Sequence, residues 1–280
     1  MKSVLVTGAS TGIGAAVTAE LARSGFHVWA TVRRAEDAER LRAQHGSQVE
    51  PLQLDITDEA AVSAAGERVQ AAGPLHGLVN NAGVALPGPL ELVPLDSARR
   101  QLEVNLVAQL AVTQAMLPAL RKARAANEDA RIVMIGSVGG RMAGPMIGTY
   151  HASKFGLVGL ADALRAELAP SGIRVIMIEP GAIATPIFAK AAGNANELLT
   201  TLPPSADEHY AAQYEVALAM GRRNAEQGLP PEHAARVVVR ALTARNPRPR
   251  QGIGKDSKTA GVLARLLPHR VIYRLAAARA

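Results

Sequence analysis

Apolar positions along the chain fall into two alternating patterns. Short runs rich in β-branched residues recur at Ser3–Val6, Val28–Val32, Val49–Leu54, Leu75–Val79, Arg131–Ile135 and Ile173–Ile178. Between them lie stretches with helical periodicity: Ile13–Arg23, Ala35–Gln44, Asp58–Ala72, Leu95–Arg124 and Tyr150–Leu168. Strands separated by helices of this length predict right-handed βαβ units and a parallel sheet. Ile132–Ile135 and Val175–Ile178 are almost unbroken in apolar character, as strands covered on both faces are. The expected fold class is α/β: a doubly wound parallel sheet of about seven strands in a three-layer αβα arrangement.

The alternation stops after Pro180-Gly181. Residues 182–228 are mixed, with Pro186, Pro203 and Pro204 as breakers. Such a length is too great for a structureless loop, so short helices forming a lid over the substrate are expected. Glu232–Ala244 resumes a helix, and Gln251–Gly254 reads as a last strand. With no Ser/Gly linker, low-complexity tract or repeat, residues 1–254 read as one domain. Residues 255–280 read as a basic extension. In it Val262, Leu263, Leu266, Leu267, Val271, Ile272 and Leu275 alternate with Arg265, Arg270 and Arg274 around Pro268, predicting two short amphipathic helices.

Composition narrows the chemistry. With 48% hydrophobic and 20% charged residues in 280, the chain is neither disordered nor fibrous. The absence of cysteine excludes disulfides, thiolate metal sites and cysteine nucleophiles. The histidines have no paired ligand spacing, so no catalytic metal is expected. The net charge of +7 is a C-terminal feature, since Asp256 is the one acid among residues 240–280. A basic end attracts nucleic acid or anionic membrane, but no aromatic stacking platform accompanies it, so no nucleic-acid partner is expected. Packing of the extension on the body is favoured over peripheral membrane contact. Met1–Gly8 runs into a strand pattern without a secretory apolar region, and Val104–Leu120 carries Asn105, Gln109, Thr113 and Gln114, which makes a poor membrane span. The expected location is cytoplasmic.

Thr7-Gly8-Ala9-Ser10-Thr11-Gly12-Ile13-Gly14 joins the first strand to the first helix. Residues without a Cβ let backbone amides approach a pyrophosphate, and the helix N-terminus adds free N–H groups and partial positive charge. There is no GxxxxGK[ST] loop, which argues against nucleoside triphosphate hydrolysis. At the end of the second strand, an acid would bind a free ribose 2′-hydroxyl and an arginine a 2′-phosphate. Thr31-Val32-Arg33-Arg34 offers arginines and no acid before Glu36, which favours NADP(H) over NAD(H).

Tyr150 and Lys154 stand four residues apart and share a helix face. A cation beside a phenol favours the phenolate, so a lowered Tyr150 pKa suited to proton transfer is expected. Ser137 ends the fifth strand on the side where parallel sheets bind ligands. Ile135 occupies the first position of what would be a G-x-S-x-G elbow, so Ser137 is not a hydrolase nucleophile. Asn105 is a polar amide in an apolar helix and needs partners, whether water or backbone.

Together, Thr7–Gly14 as TGxxxGxG, Asn80-Asn81-Ala82-Gly83, Asn105, Ser137, Tyr150xxxLys154 and Pro180-Gly181 resemble the short-chain dehydrogenase/reductase family over about residues 1–190. Thr31–Arg34 resembles its NADP(H)-preferring branch. Gly136–Arg141 and Tyr150–Phe155 look most like members acting on hydroxysteroids, retinoids or other lipophilic alcohols. The resemblance implies that Tyr150 is the general acid/base, that Ser137 polarises the substrate carbonyl and that Lys154 bonds the nicotinamide ribose and lowers the Tyr150 pKa. Asn105 would hold a water linking Lys154 to solvent. Gly8, Ser10, Gly12, Ile13 and Gly14 would wrap the pyrophosphate, and Arg33 would take the 2′-phosphate. Asp55 and Ile56 would flank the adenine, and Asn81, Ala82 and Gly83 would support the adenosine ribose side. Pro180, Gly181, Ile183 and Thr185 would fix the nicotinamide. Leu95–Arg124 and Tyr150–Leu168 would form the interface of a homodimer, often doubled into a homotetramer.

The reaction implied is hydride exchange between NADP(H) and a carbonyl/alcohol pair. Met142 and Met146 after Ser137, and Ile187 and Phe188 at the start of the lid, suit a lipophilic substrate such as a steroid or retinoid, or else belong to the core. Two alternatives are a 3-oxoacyl thioester reductase of lipid metabolism and a non-catalytic NADP-binding regulator.

Overall fold

The computed structural model describes residues 1–202, 205–268, 270–272 and 274. Pro203, Pro204 and Leu275 lie outside the described residues. The elements run β1 (Ser3–Val6), α1 (Gly12–Arg23), β2 (His27–Val32), α2 (Ala35–His45), β3 (Val49–Gln53), α3 (Glu59–Ala72), β4 (Gly77–Asn80), α4 (Leu95–Leu102), α5 (Ala108–Ala125), β5 (Arg131–Ile135), α6 (Gly148–Leu168), β6 (Arg174–Pro180), α7 (Pro186–Leu199), α8 (Ser205–Gln227), α9 (Pro231–Thr243), β7 (Arg250–Ile253) and α10 (Lys255–Leu266). The seven strands form one sheet in the order β3-β2-β1-β4-β5-β6-β7, parallel throughout. The expected three-layer doubly wound architecture is the one observed.

The pleat divides the apolar strand residues between two cores. Leu78, Ile132, Met134, Val175 and Met177 face the layer of α3, α5 and α6. Val79, Val133, Ile135, Ile176 and Ile178 face the layer of α1 and α9. Neither face of these central strands meets water, which is why their sequences lack alternation. A third cluster of Met146, Ala195 and Tyr214 sits beneath α7 and α8.

Four local expectations change. The helix over Leu95–Arg124 is interrupted by a π turn at Glu103–Val107, while Pro118 lies inside α5. The 182–228 region holds helices of 14 and 23 residues, not short ones. Pro186 occupies the first helical position of α7, where a missing N–H is tolerated, so it starts a helix instead of breaking one. The C-terminal helix begins at Lys255, earlier than the apolar positions suggested. Among the described residues, no helix is long and apolar enough to cross a membrane.

Candidate active site

The order of strands reverses between β1 and β4, and the loops leaving the carboxyl ends of β1, β4, β5 and β6 gather there. Such switch points form ligand crevices because neighbouring connections diverge to opposite faces. Gly8 and Gly12 adopt left-handed φ values of +65° and +59°, which favour glycine. A methyl at Gly14 would strike the Gly8 carbonyl, with the Asn81 side chain and the Gly8 carbonyl carbon also in the way. Helix α1 starts with no acidic residue in its first turn and no side-chain cap on Thr11. Its first N–H groups are therefore open to an anion.

The glycine loop is tied to the loop after β4. Thr7 Oγ1 accepts from Asn81 N at 2.9 Å and from Ala82 N at 3.0 Å, while Asn81 Nδ2 donates to Thr7 O at 2.9 Å and Gly8 O at 3.2 Å. Asn81 and Ala82 are half-buried and Gly83 is exposed. Arg33, past the end of β2, is exposed and forms no ion pair among the described residues. Its neighbours Arg34 and Arg40 are instead held by the buried Asp37 carboxylate at 3.1 and 2.7 Å. Arg40 also donates to Ser10 O at 2.9 Å, joining α2 to the glycine loop. Asp55 is exposed and accepts from Thr57 N at 3.0 Å, whereas Ile56 is buried in the larger core.

Ser137, Tyr150, Lys154 and Asn105 come together. Tyr150 and Lys154 lie on the first turns of α6, with Lys154 Nζ 5.8 Å from the Tyr150 ring centroid. Ser137 Oγ accepts from Gly139 N at 3.0 Å and lies near the Tyr150 hydroxyl. The turn behind Ser137 lies flat on α6: His151 Nδ1 is 2.9 Å from Gly139 O, and a methyl at Gly140 would stand 2.8 Å from Lys154 O. Lys154 is 5% exposed, and its Nζ donates to Ile135 O at 3.0 Å.

One expectation about this group is corrected. Burial raises the Tyr150 phenol above its usual range, and the neighbouring Ser137 hydroxyl only partly offsets this. Lys154 faces the ring at a distance, and burial lowers its own pKa to about 8, which weakens it as the stabilising cation. The Asn105 amide, in turn, is bonded within the protein. Its Oδ1 accepts from Val84 N at 2.8 Å, and its Nδ2 donates to Val84 O at 2.9 Å and Ser153 Oγ at 3.0 Å.

Beside the expected Asn105, three contributors escaped the sequence reading. Gln101, Asn105, Gln109 and Thr113 recur every fourth residue, and each is at most 1% exposed. Gln101 Oε1 accepts from Leu86 N at 2.8 Å, Gln109 Nε2 donates to Ala82 O at 2.7 Å, and Thr113 Oγ1 accepts from Asn80 Nδ2 at 2.8 Å. This ladder fixes the segment after β4. The π turn has the same logic: Ala108 N bonds Glu103 O, and the bypassed Val104 carbonyl accepts from Gln109 Nε2 at 3.1 Å. The polar residues in the helix were visible in the sequence, and their four-residue period was the unused signal.

On the remaining rim, Pro180 and Ile183 are buried, and Gly181 and Thr185 are half-buried. Thr185 also borders the glycine loop, since a methyl at Gly12 would lie 3.1 Å from its Cγ2. Met142, Ile187 and Phe188 are half-buried. Met146 is a buried member of the third apolar cluster and takes a left-handed φ of +67°.

A dinucleotide fold with a phenol, a serine and a lysine at its switch point defines the class: an oxidoreductase on a nucleotide-binding scaffold. Residues 2–196 match the model of the short chain dehydrogenase family, and the chain belongs to that family. It is similar to the NADPH-dependent 3-dehydrocapnine reductase of Ornithobacterium rhinotracheale, with 33% identity covering 98% of this chain and 96% of the relative. It is also similar to retinol dehydrogenase 5 of Homo sapiens, with 37% identity over 95% and 84%. Among solved structures, a short chain dehydrogenase from Burkholderia cenocepacia in complex with NADP aligns with a TM-score of 0.75 and 26% identity, covering 98% of this chain and 99% of that one. The protein is accordingly a short-chain oxidoreductase acting on a carbonyl/alcohol substrate, with a NAD(P)(H)-binding Rossmann fold.

Proposed function

We propose that the protein is an NADP(H)-dependent enzyme that interconverts a carbonyl and a primary or secondary alcohol on a lipophilic substrate, with Tyr150 as general acid/base. The observation that carries the reading is the convergence of Tyr150, Ser137 and the buried Lys154 beside a glycine loop and an open helix N-terminus. The residues fit the cofactor: Gly8, Ser10, Gly12, Ile13 and Gly14 for the pyrophosphate, Arg33 for the 2′-phosphate, and Pro180, Gly181, Ile183 and Thr185 for the nicotinamide side. Bound there, NADP(H) supplies or accepts the hydride.

The chain's own groups manage the oxygen. In reduction, negative charge grows on the carbonyl oxygen. Ser137 and Tyr150 donate hydrogen bonds to it, each donor being worth roughly 10²–10³ in rate in a water-poor site. The Tyr150 hydroxyl then releases its proton to that oxygen, and in the alcohol-oxidising direction it takes the proton back. A raised phenol pKa keeps Tyr150 protonated at neutral pH, which suits it to reduction. Lys154 assists at the ribose and in resupplying the proton. Asn105 acts by holding Val84 and Ser153 in place.

Arg33 supports NADP(H) over NAD(H), because among the described residues it forms no ion pair while Asp37 retains Arg34 and Arg40. The wording of the relatives points the same way: one is NADPH-dependent, and one solved structure contains NADP. Met142, Ile187 and Phe188 support a lipophilic substrate, as does the similarity to a retinol dehydrogenase. Exposed Leu95, Val107 and Phe155 on α4 to α6 support a homodimer or homotetramer, and we assign a cytoplasmic location.

The test follows NADPH absorbance with a panel of steroid, retinoid and acetoacetyl-thioester carbonyls. Reduction of the lipophilic carbonyls is expected, with Tyr150→Phe losing nearly all turnover while still binding NADPH. Turnover by Tyr150→Phe at the wild-type rate would overturn the role of Tyr150, and preference for the thioester would move the substrate to acyl chains.

A further inference from the structure

The C-terminal helix grips the loop that leaves β6. Asp256, the second residue of α10, accepts a hydrogen bond from Ala182 N at 2.7 Å, across 74 residues of chain. Its carboxylate lies against both Gly181 and Gly254, and a methyl at either position would collide with it. The next residue, Ser257, is 1% exposed and donates its hydroxyl to Glu179 O at 2.7 Å. Gly181 N in turn donates to Ile253 O at 2.9 Å. Two consecutive residues of α10 thus hold main-chain groups on either side of Pro180-Gly181.

Glu179 extends the same tie sideways. Its carboxylate is fully buried and accepts from Arg141 Nε, behind Ser137, and from Arg250 Nε of β7, each at 2.9 Å. Gly261 of α10 packs on the Arg141 guanidinium, where a methyl would stand 3.3 Å from one terminal nitrogen. The Ser137 turn, the β6 loop and the C-terminal helix therefore share one polar junction. A carboxylate at a helix N-terminus is favourable anywhere. Here it is directed at a distant main-chain N–H beside the proposed nicotinamide site.

We propose that Asp256 is a positioning residue for the cofactor: by holding Ala182 N–H it fixes the 180–182 turn, which makes the C-terminal segment part of the active site. This rests on the reading of Pro180, Gly181, Ile183 and Thr185 as the nicotinamide-side loop. Without the tie, a turn built on glycine samples conformations that cannot accept the cofactor. Apparent affinity then falls in proportion to the competent fraction, while the chemical step in the assembled complex is unchanged.

The experiment compares wild type, Asp256→Ala and Asp256→Asn in the full chain by NADPH-dependent carbonyl reduction and by hydrogen exchange at the Ala182 amide. Asp256→Ala is expected to raise the KM for NADPH about tenfold with kcat within about threefold, and to lose protection at Ala182. Asp256→Asn keeps an acceptor oxygen and is expected to restore both readouts to near wild type. Unchanged KM in a folded Asp256→Ala protein, equal losses in both variants, or a fall in kcat alone would each overturn the proposal. Should Asp256→Ala fail to fold, an unprotected Ala182 amide in wild type, or an elevated KM in Asp256→Asn, would do the same. Failure of wild type itself to bind NADPH, with Ala182 protected, would instead defeat the reading of the loop.

Discussion

Replacing Lys154 by methionine should make the cofactor-free protein more stable while abolishing turnover. Lys154 is 5% exposed, and burial lowers its pKa from 10.5 to about 8. That fall corresponds to roughly 3 kcal/mol of folding free energy lost at neutral pH by keeping the ammonium charged out of water. The substitution removes this penalty but also the Nζ–H donated to Ile135 O at 3.0 Å. A charged hydrogen bond of this kind offsets much of that penalty, so the net gain is small, on the order of 1 kcal/mol. The sign with pH is fixed. Between about pH 8 and 10.5 the unfolded chain holds a proton on Lys154 that the native state has released, so wild-type stability rises with pH relative to the variant. Below pH 8 both states are protonated and the full penalty applies. Urea unfolding of both proteins at pH 7, 9 and 10.5 reads this directly, because groups common to both cancel in the difference. The advantage of Lys154→Met should be largest at pH 7 and shrink steadily to pH 10.5, where the lost hydrogen bond remains and the order reverses. A difference independent of pH, or one that grows in favour of the variant on raising pH, would refute the desolvation argument.

Two further outcomes follow from the glycine loop and the end of β2. Gly14→Ala should fold but bind NADPH at least about tenfold more weakly by fluorescence titration, because the methyl must displace the Gly8 carbonyl and the Asn81 amide rather than a flexible side chain. Wild-type affinity would show that the loop is not the phosphate cradle. Arg33→Ala should cut the preference for NADPH over NADH in kcat/KM by about tenfold or more, mainly through the KM for NADPH. An unchanged ratio would transfer the 2′-phosphate contact to another cation such as Arg40, which bonds the glycine loop at Ser10 O.

The layered fold was legible because burial on two faces leaves a strong compositional mark. The middles of β5 and β6 alternate between two cores, so Ile132–Ile135 and Val175–Ile178 are apolar throughout, and short apolar runs between periodic helices admit few other arrangements. The site was legible where chemistry needs particular residue types at fixed spacing, as for Gly8 to Gly14 and Tyr150 to Lys154. What the sequence concealed were relations that leave hydrophobic periodicity untouched. A π turn changes hydrogen-bond partners at Glu103–Val107 without changing which residues are apolar. The Tyr150 pKa was expected from its charged neighbour alone, whereas its direction depends on how much water burial removes from both groups. Asp256 was counted as a lone acid in a basic tail, and only the fold brings it to Ala182.

The loops that carry the site are held by buried hydrogen bonds more than by apolar packing, and this determines how the protein tolerates change. Thr7 with Asn81, the ladder of Gln101, Asn105 and Gln109, His151 with Gly139, and Glu179 with its two arginines each join one strand-end loop to a neighbour. Apolar contacts are non-directional, so a core residue can be exchanged for another of equal volume at a cost usually under about 1.5 kcal/mol and with little movement of the loops. A buried hydrogen bond specifies distance and angle, and losing one partner leaves the other unsatisfied at about 1–3 kcal/mol. The two cores therefore decide whether the chain folds, and the polar ties decide whether Ser137, Tyr150 and the β6 loop stand in register. Substitutions at the ties should damage catalysis before they unfold the protein, whereas substitutions in the cores should do the reverse.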